Sequence, residues 1–165
     1  MRALALLGFV FVVLPLLVLA AGQFGWLMGR APDDLGVREG KLKPPSRTPN
    51  SVSSQAALWP DGEYASTYAR IDPLPIRGDN AAAMTRLRTL LAGWPGAQIV
   101  EERPDYLRIV FVTRWLGFVD DAEFWLDPAN NVIQVRSASR VGGKDLGVNR
   151  ARIEAIRTRW ASAGT

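Results

Sequence analysis

The chain contains no cysteine and no histidine. Together these absences remove disulfides, thiol nucleophiles, imidazole bases and the usual zinc ligands. Lysine is scarce: of 20 basic residues only Lys41, Lys43 and Lys144 are lysines, so arginine carries the positive charge as planar, permanently ionised hydrogen-bond forks. Nor is there a basic run. The 20 basic residues are interspersed with 16 acidic ones for a net charge of +4, a dispersal that argues against a nucleic-acid surface, which needs a basic stripe. Carboxylates, arginines, hydroxyls and three lysines remain for chemistry, and no cofactor is implied. Ser51, Ser53 and Ser54 lack a base to activate them, because a serine–lysine dyad would have to recruit Lys144 from far along the chain.

One long apolar run is present, Ala3–Gly29, with Gln23 its only strongly polar side chain. A helix crosses a bilayer core with about 20 apolar residues, so residues 1–29 are expected to form a single transmembrane anchor, kinked at Pro15 and meeting the membrane through residues 3–29. The competing reading is a signal peptide cleaved after Val18, Leu19 and Ala20; continuation of the run to Met28 favours the anchor. Arg2 and the amino terminus place the remainder of the chain outside the cytoplasm, against the opposite pull of Arg30, Arg38, Lys41 and Lys43. Residues 30–60 carry prolines at 32, 44, 45, 49 and 60 without any period, and read as an extended Pro-rich linker. Its last part, Leu42–Ser54, holds more turn formers than a spacer requires, and so is a candidate to lie ordered against the domain.

Residues 61–165 have the patterning of one α+β domain. Tyr64–Ala69 is expected as a short edge strand before a turn at Asp72–Pro75. A helix comes next, from a cap at Asp79 or Asn80 to Leu91, with Met84, Leu87, Leu91 and Trp94 on one stripe and Gly93 and Pro95 ending it. From Ala97 the period becomes two, predicting strands over Ala97–Glu102, Tyr106–Arg114, Gly117–Asp127 and Val132–Ser139. Their short connections require an antiparallel meander. The last helix opens at Asn149, with Val148 placed to staple onto Ile153 and with Ile153, Ile156 and Trp160 as its apolar stripe. The expected architecture is an antiparallel meander of about four to five strands packed with two amphipathic helices, a two-layer sandwich preceded by the transmembrane helix.

Side-chain parity sets the register. If Leu126 lies opposite Ile133 across the turn Asp127–Asn131, then Phe124 meets Val135, Glu123 meets Arg136 and Asp120 meets Ser139; a slip by one residue would set Phe124 beside Gln134. Carried one strand further, Arg108, Glu123 and Arg136 form a row across three strands, either a cross-strand ion pair on a solvated face or an arginine fork for a carboxylate or phosphate. Asp120 is aimed inward, where an ionised carboxylate needs hydroxyls, backbone donors or an arginine such as Arg140 or Arg150. It either locks the fold in a polar network or serves a ligand or a reaction. Asp120 and Asp121 point to opposite faces and do not converge on a metal, so none is assigned.

The segments PNSVSS at Pro49–Ser54, GFVDDAEF at Gly117–Phe124 and VRSASRVGGKDLGVNRARIEAIR at Val135–Arg157 resemble the bacterial and plastid family called domain of unknown function 1499, over roughly Leu42–Arg159. That resemblance implies no established activity. Family members typically carry cysteines where this chain has Pro45 and Ser51, so any disulfide, metal or redox role does not carry over, and an aromatic usual after the Val-Gly pair is replaced by Gly143. The positions that match are Asp120, Asp121, Glu123, Arg136, Ser137, Ser139, Arg140, Asp145, Asn149 and Arg150, and they form the candidate ligand-binding set. The expected function is a membrane-tethered, non-catalytic binding or accessory module of the bacterial envelope, serving an envelope protein or a small anionic ligand. The alternative is a hydrolase using Asp120 or Glu123 as acid or base.

Overall fold

The computed structural model describes residues 8–162. In chain order its elements are a π-helical turn Phe9–Val13, α1 (Leu14–Gln23), β1 (Ser51–Ser53), a 3-10 turn Ala56–Leu58, α2 (Ser66–Ala69), β2 (Leu74–Pro75), α3 (Asn80–Ala92), β3 (Ala97–Arg103), β4 (Tyr106–Val112), β5 (Val119–Asp127), β6 (Val132–Ser139) and α4 (Val148–Ser162). The strands make one antiparallel sheet in the order β1-β6-β5-β4-β3. β2 also pairs with β6, so two short strands share one edge: β1 along Arg136, Ser137 and Ala138, β2 along Val132 and Ile133. The α+β meander is as expected, and these two short strands raise its strand number to six.

The register is the one that parity demands. Leu126 lies opposite Ile133, Phe124 opposite Val135, Glu123 opposite Arg136 and Asp120 opposite Ser139, and on the next strand Arg108 is opposite Glu123. Helices α3 and α4 cover one face. Asp79 caps α3 by accepting from the N–H groups of Ala81 and Ala82, and Met84, Leu87 and Leu91 descend from it into a core with Ile153, Ile156 and Trp160 of α4. Leu107, Ile109, Phe111, Ala122, Phe124, Ile133 and Val135 meet them from the sheet. The edge strand expected over Tyr64–Ala69 is helix α2 instead. There Asp61 gathers the hydroxyls of Ser66 and Thr67 into a turn, while β1 and β2 already occupy the free edge of β6.

Over β5 and β6 the opposite face is not solvated, although at β3 it is open to water. The proline-rich stretch lies across it: Leu42 is buried, its N–H donates 2.8 Å to Gln55 Oε1, and the N–H of Gly36 donates 2.7 Å to Glu123. The surface ion pair expected in the Arg108, Glu123, Arg136 row is therefore a buried one, because a backbone strap rather than water covers it. The three candidate serines are likewise structural: Ser51 Oγ accepts from the Ser46 N–H, Ser53 Oγ from the Gln55 N–H, and Ser54 Oγ binds both Gln134 and the backbone of Val135.

The apolar run departs from a single helix over residues 1–29. Residues 1–7 lie outside the described residues, Pro15 falls in the first turn of α1 directly after the π-helical turn, and the helix ends at Gln23. Gly25 and Gly29 then take φ of +78° and +68°, a left-handed conformation that turns the chain out of the helix. Among the described residues no helix is long and apolar enough to cross a membrane.

Candidate functional site

Neighbouring positions on a strand face opposite ways, and this divides the six candidate residues on β5 and β6 between the two faces of the sheet, while Arg140, Asp145, Asn149 and Arg150 follow in the loop and α4. On the helix-bearing face Asn149, wholly buried in the first turn of α4, is the hub. Its Oδ1 accepts from Ser137 Oγ at 2.5 Å and from Arg152 at 3.0 Å, while its Nδ2 donates to Ser139 Oγ at 3.0 Å and to Asp145 at 2.9 Å. Asp145 takes the place of an N-cap. It accepts the N–H groups of Gly147 and Asn149 at 3.0 Å each, and Tyr68 donates to it from α2 at 2.6 Å. Burial pushes this carboxyl up, but the bonds from Tyr68, Gly147 and Asn149 outweigh it and hold the group below the ordinary carboxylate range. The helix opens at Val148 rather than at Asn149, so Val148 is 46% exposed as its first residue and does not precede the cap position, where a staple residue belongs.

Asp120 is buried as parity requires, but its partner is neither Arg140 nor Arg150. Arg152 donates to it at 2.6 Å with its guanidinium 4.5 Å from the centroid of the Phe111 ring. The helical period explains the substitution: Arg152 lies three positions after Asn149 and so on the same side of α4. Arg150, two positions earlier, projects elsewhere and clamps the carbonyls of Tyr68 and Arg70. Arg140 leaves the inner face altogether and forks onto Asp121 at 2.7 and 3.0 Å, which raises its own pKa.

On the strap-bearing face Asp121, Glu123 and Arg136 are all buried. Glu123 accepts from the Gly36 N–H, from Tyr106 Oη at 2.9 Å and from Arg136 at 3.4 Å; Arg136 Nε also reaches the Pro44 carbonyl at 3.4 Å. Burial, with the adjoining Glu123 charge and hydrogen bond, pushes the Tyr106 hydroxyl well above its usual value. Arg108 pairs with Glu101 and Asp121 rather than with Glu123, the residue directly opposite it.

Where strap and sheet part, they leave a cleft of about 380 Å³ lined by Arg30, Lys43, Arg47, Arg136 and Arg140, with Asp121, Tyr64 and the Pro44–Pro45 pair. Arg136, Ser139 and Arg140 of the candidate set open onto it. Asp121 lines it as well, while Glu123 lies beneath the strap and Ser137 and Asn149 are packed shut. Arg47 and Lys43, which complete the cationic wall, carry no motif signal that would mark them in the sequence. Among the cleft's cations Arg47 has no carboxylate partner among the described residues, whereas Lys43 pairs with Asp34, Arg136 with Glu123 and Arg140 with Asp121.

These features define a small α+β domain whose motif residues tie a helix to one face of a sheet and a proline-rich strap to the other. The chain belongs to the family described as Protein of unknown function (DUF1499), which matches residues 41–159 and thus takes in the later strap, the whole sheet and nearly all of α4. No curated protein and no solved structure matches the chain.

Proposed function

We propose that the chain is a membrane-tethered, non-catalytic binding domain of the bacterial envelope that takes a small anionic ligand, a carboxylate or phosphate ester, in the cleft between strap and sheet. The observation that carries this reading is the cleft wall: five cationic side chains line it, four of them paired with a carboxylate, and among the described residues the exposed Arg47 has no carboxylate to neutralise it. Arginine forks on a cleft of this size suit a planar or tetrahedral oxyanion. The tether is inferred from the apolar run, whose described helical part exposes Phe9, Phe11, Val12, Leu16 and Leu17 on all sides, the pattern of a helix surrounded by lipid. Acid–base hydrolysis at Asp120 or Glu123 draws less support. Each is buried and ion-paired with an arginine, Asp120 with Arg152 and Glu123 with Arg136, and in both cases the pair ties the sheet to the element that covers it.

Thermal unfolding of the detergent-solubilised chain, with inorganic phosphate, citrate and sulfate added in turn, tests the reading. At about 100 times its dissociation constant, a ligand bound only to the folded state adds about 2.7 kcal/mol. The expected result is a rise in midpoint with at least one anion that Arg47→Ala abolishes. A midpoint indifferent to every anion, or a rise that Arg47→Ala leaves intact, overturns it.

A further inference from the structure

The end of the sheet where α1 docks carries a second, apolar surface. Gln23 Nε2 donates to the carbonyls of Arg114 and Trp115, and Gly22 lies so near Leu116 that a Cβ there would fall 2.5 Å from its carbonyl oxygen. Helix α1 therefore joins the domain at the loop between β4 and β5. Trp115 of that loop is 65% exposed and Trp26, just after α1, is 80% exposed; Leu146, 94% exposed, shares with Val141 and Val148 a cavity of about 320 Å³ that Thr113 and Phe118 of the same loop also line.

Leu146 is the least ordinary of these. Its backbone sits at φ +53°, a left-handed conformation that a leucine adopts at a cost, and the result is a side chain held away from the protein. The loop is not loose, because Asp145 binds the N–H groups of Gly147 and Asn149 on the far side of Leu146 and is itself held by Tyr68. Cations fringe the apolar tip: Arg114 lies 5.0 Å from the Trp115 ring centroid, and Lys144 precedes the loop.

We infer that this end of the domain, led by Leu146 and Trp115, inserts into the boundary between headgroups and acyl chains of an anionic bilayer, with Arg114 and Lys144 at the phosphates. The inference rests on the membrane-tether reading and goes beyond it: the domain lies on the lipid rather than hanging from it. Continuity argues for lipid as the occupant. The apolar tip adjoins a helix whose own exposed side chains need an apolar medium, and an exposed tryptophan with an arginine over its ring matches the mixed polarity of that boundary.

Because the chain has no cysteine, single-cysteine variants of the full-length protein report one position each. Leu146→Cys, Trp115→Cys, Phe11→Cys and Leu58→Cys, labelled with a polarity-sensitive fluorophore, would be placed in phosphatidylcholine–phosphatidylglycerol vesicles and quenched by iodide from water or by spin-labelled acyl chains from within. Leu58 is the aqueous reference, exposed beyond the end of β1 that is remote from the β4–β5 loop. Labels at 11, 146 and 115 should be quenched by the acyl probe and several-fold less by iodide than the label at 58. Lipid quenching at 11 but not at 146 and 115 overturns this inference and leaves the tether standing. Iodide quenching at all four positions overturns the tether and the inference with it. Labels at 146 and 115 shielded from both quenchers indicate cover by protein, and also overturn it.

Discussion

Asp120 and Asp121 are adjacent in the chain and are neutralised from opposite faces of the sheet, Asp120 by Arg152 at 2.6 Å and Asp121 by Arg140 at 2.7 Å. The first pair fastens α4 to the inner face. The second lines the cleft beneath the strap. The strand period alone separates them, so one dipeptide serves two layers of the fold.

The inner pair predicts a specific pattern of stability. Removing one partner of a buried ion pair leaves the other charge uncompensated, at a cost of about 3–5 kcal/mol, whereas replacing both with apolar groups of similar volume is often nearly neutral. Arg152→Met alone should therefore be severely destabilising, and Asp120→Leu with Arg152→Met clearly less so. Urea unfolding of the single and double variants checks the order; a double variant weaker than both singles contradicts it.

Asn149 satisfies four side chains from one buried position. Asn149→Ala strands Ser137 and removes a link between α4 and β6, so a loss of about 3 kcal/mol is expected from the orphaned groups. Hydrogen exchange should speed most in the first turn of α4 and in β1, next to which the Asn50 carbonyl also accepts from Asn149.

Asp145 sets a limit on acid stability. Its folded pKa lies below the unfolded value, so on acidification the unfolded chain takes up the proton first. The stability it contributes is complete above the unfolded pKa of about 3.9 and is lost as pH falls through the lower, folded value. Asp34 and Asp127 are shifted in the same direction and add to this acid limb. Unfolding free energy should be level near neutrality and fall below about pH 4, and Asp145→Asn should lower the plateau by about 1–2 kcal/mol while flattening part of that fall.

The seat of α1 is a contact between two glycines. A Cβ on Gly22 would clash with Leu116, and one on Gly117, at φ +62°, would lie 2.6 Å from the Gly22 carbonyl oxygen. Gly22→Val should free the helix from the domain without unfolding the sheet. Limited proteolysis should cut faster between residues 23 and 30, with the main thermal transition unmoved.

Leu146 opposes stability to exposure. Leu146→Gly relieves a left-handed leucine, which should leave the unfolding free energy unchanged or raise it by up to about 1 kcal/mol. A fall greater than that would mean the side chain packs against the fold.

Much of the architecture was legible because strand alternation and helical stripes are local patterns with fixed periods. Phe124 opposite Val135 is the arrangement that parity requires, and Glu123 opposite Arg136 comes with it. The partner of Asp120 was less legible: Arg140 and Arg150 are closer to it in the motif, but the helical period selects Arg152. The strap was the least legible part. An aperiodic proline-rich segment binds through backbone groups such as the Gly36 N–H and the Pro44 carbonyl, and backbone groups are the same at every residue.

By itself, then, the sequence determined the class of fold, the strand register and the inward aim of one acid, since each depends on which face a side chain takes within a single element. Tertiary structure alone decided that the Glu123–Arg136 pair is roofed by the strap, that Arg47 joins Arg140 in a cleft, and that Leu146 shares a cavity with Phe118 of the loop that seats α1. Those outcomes depend on segments distant in the chain closing on one another. The free energy for that closure comes from core burial shared across the whole domain and leaves no local period to read.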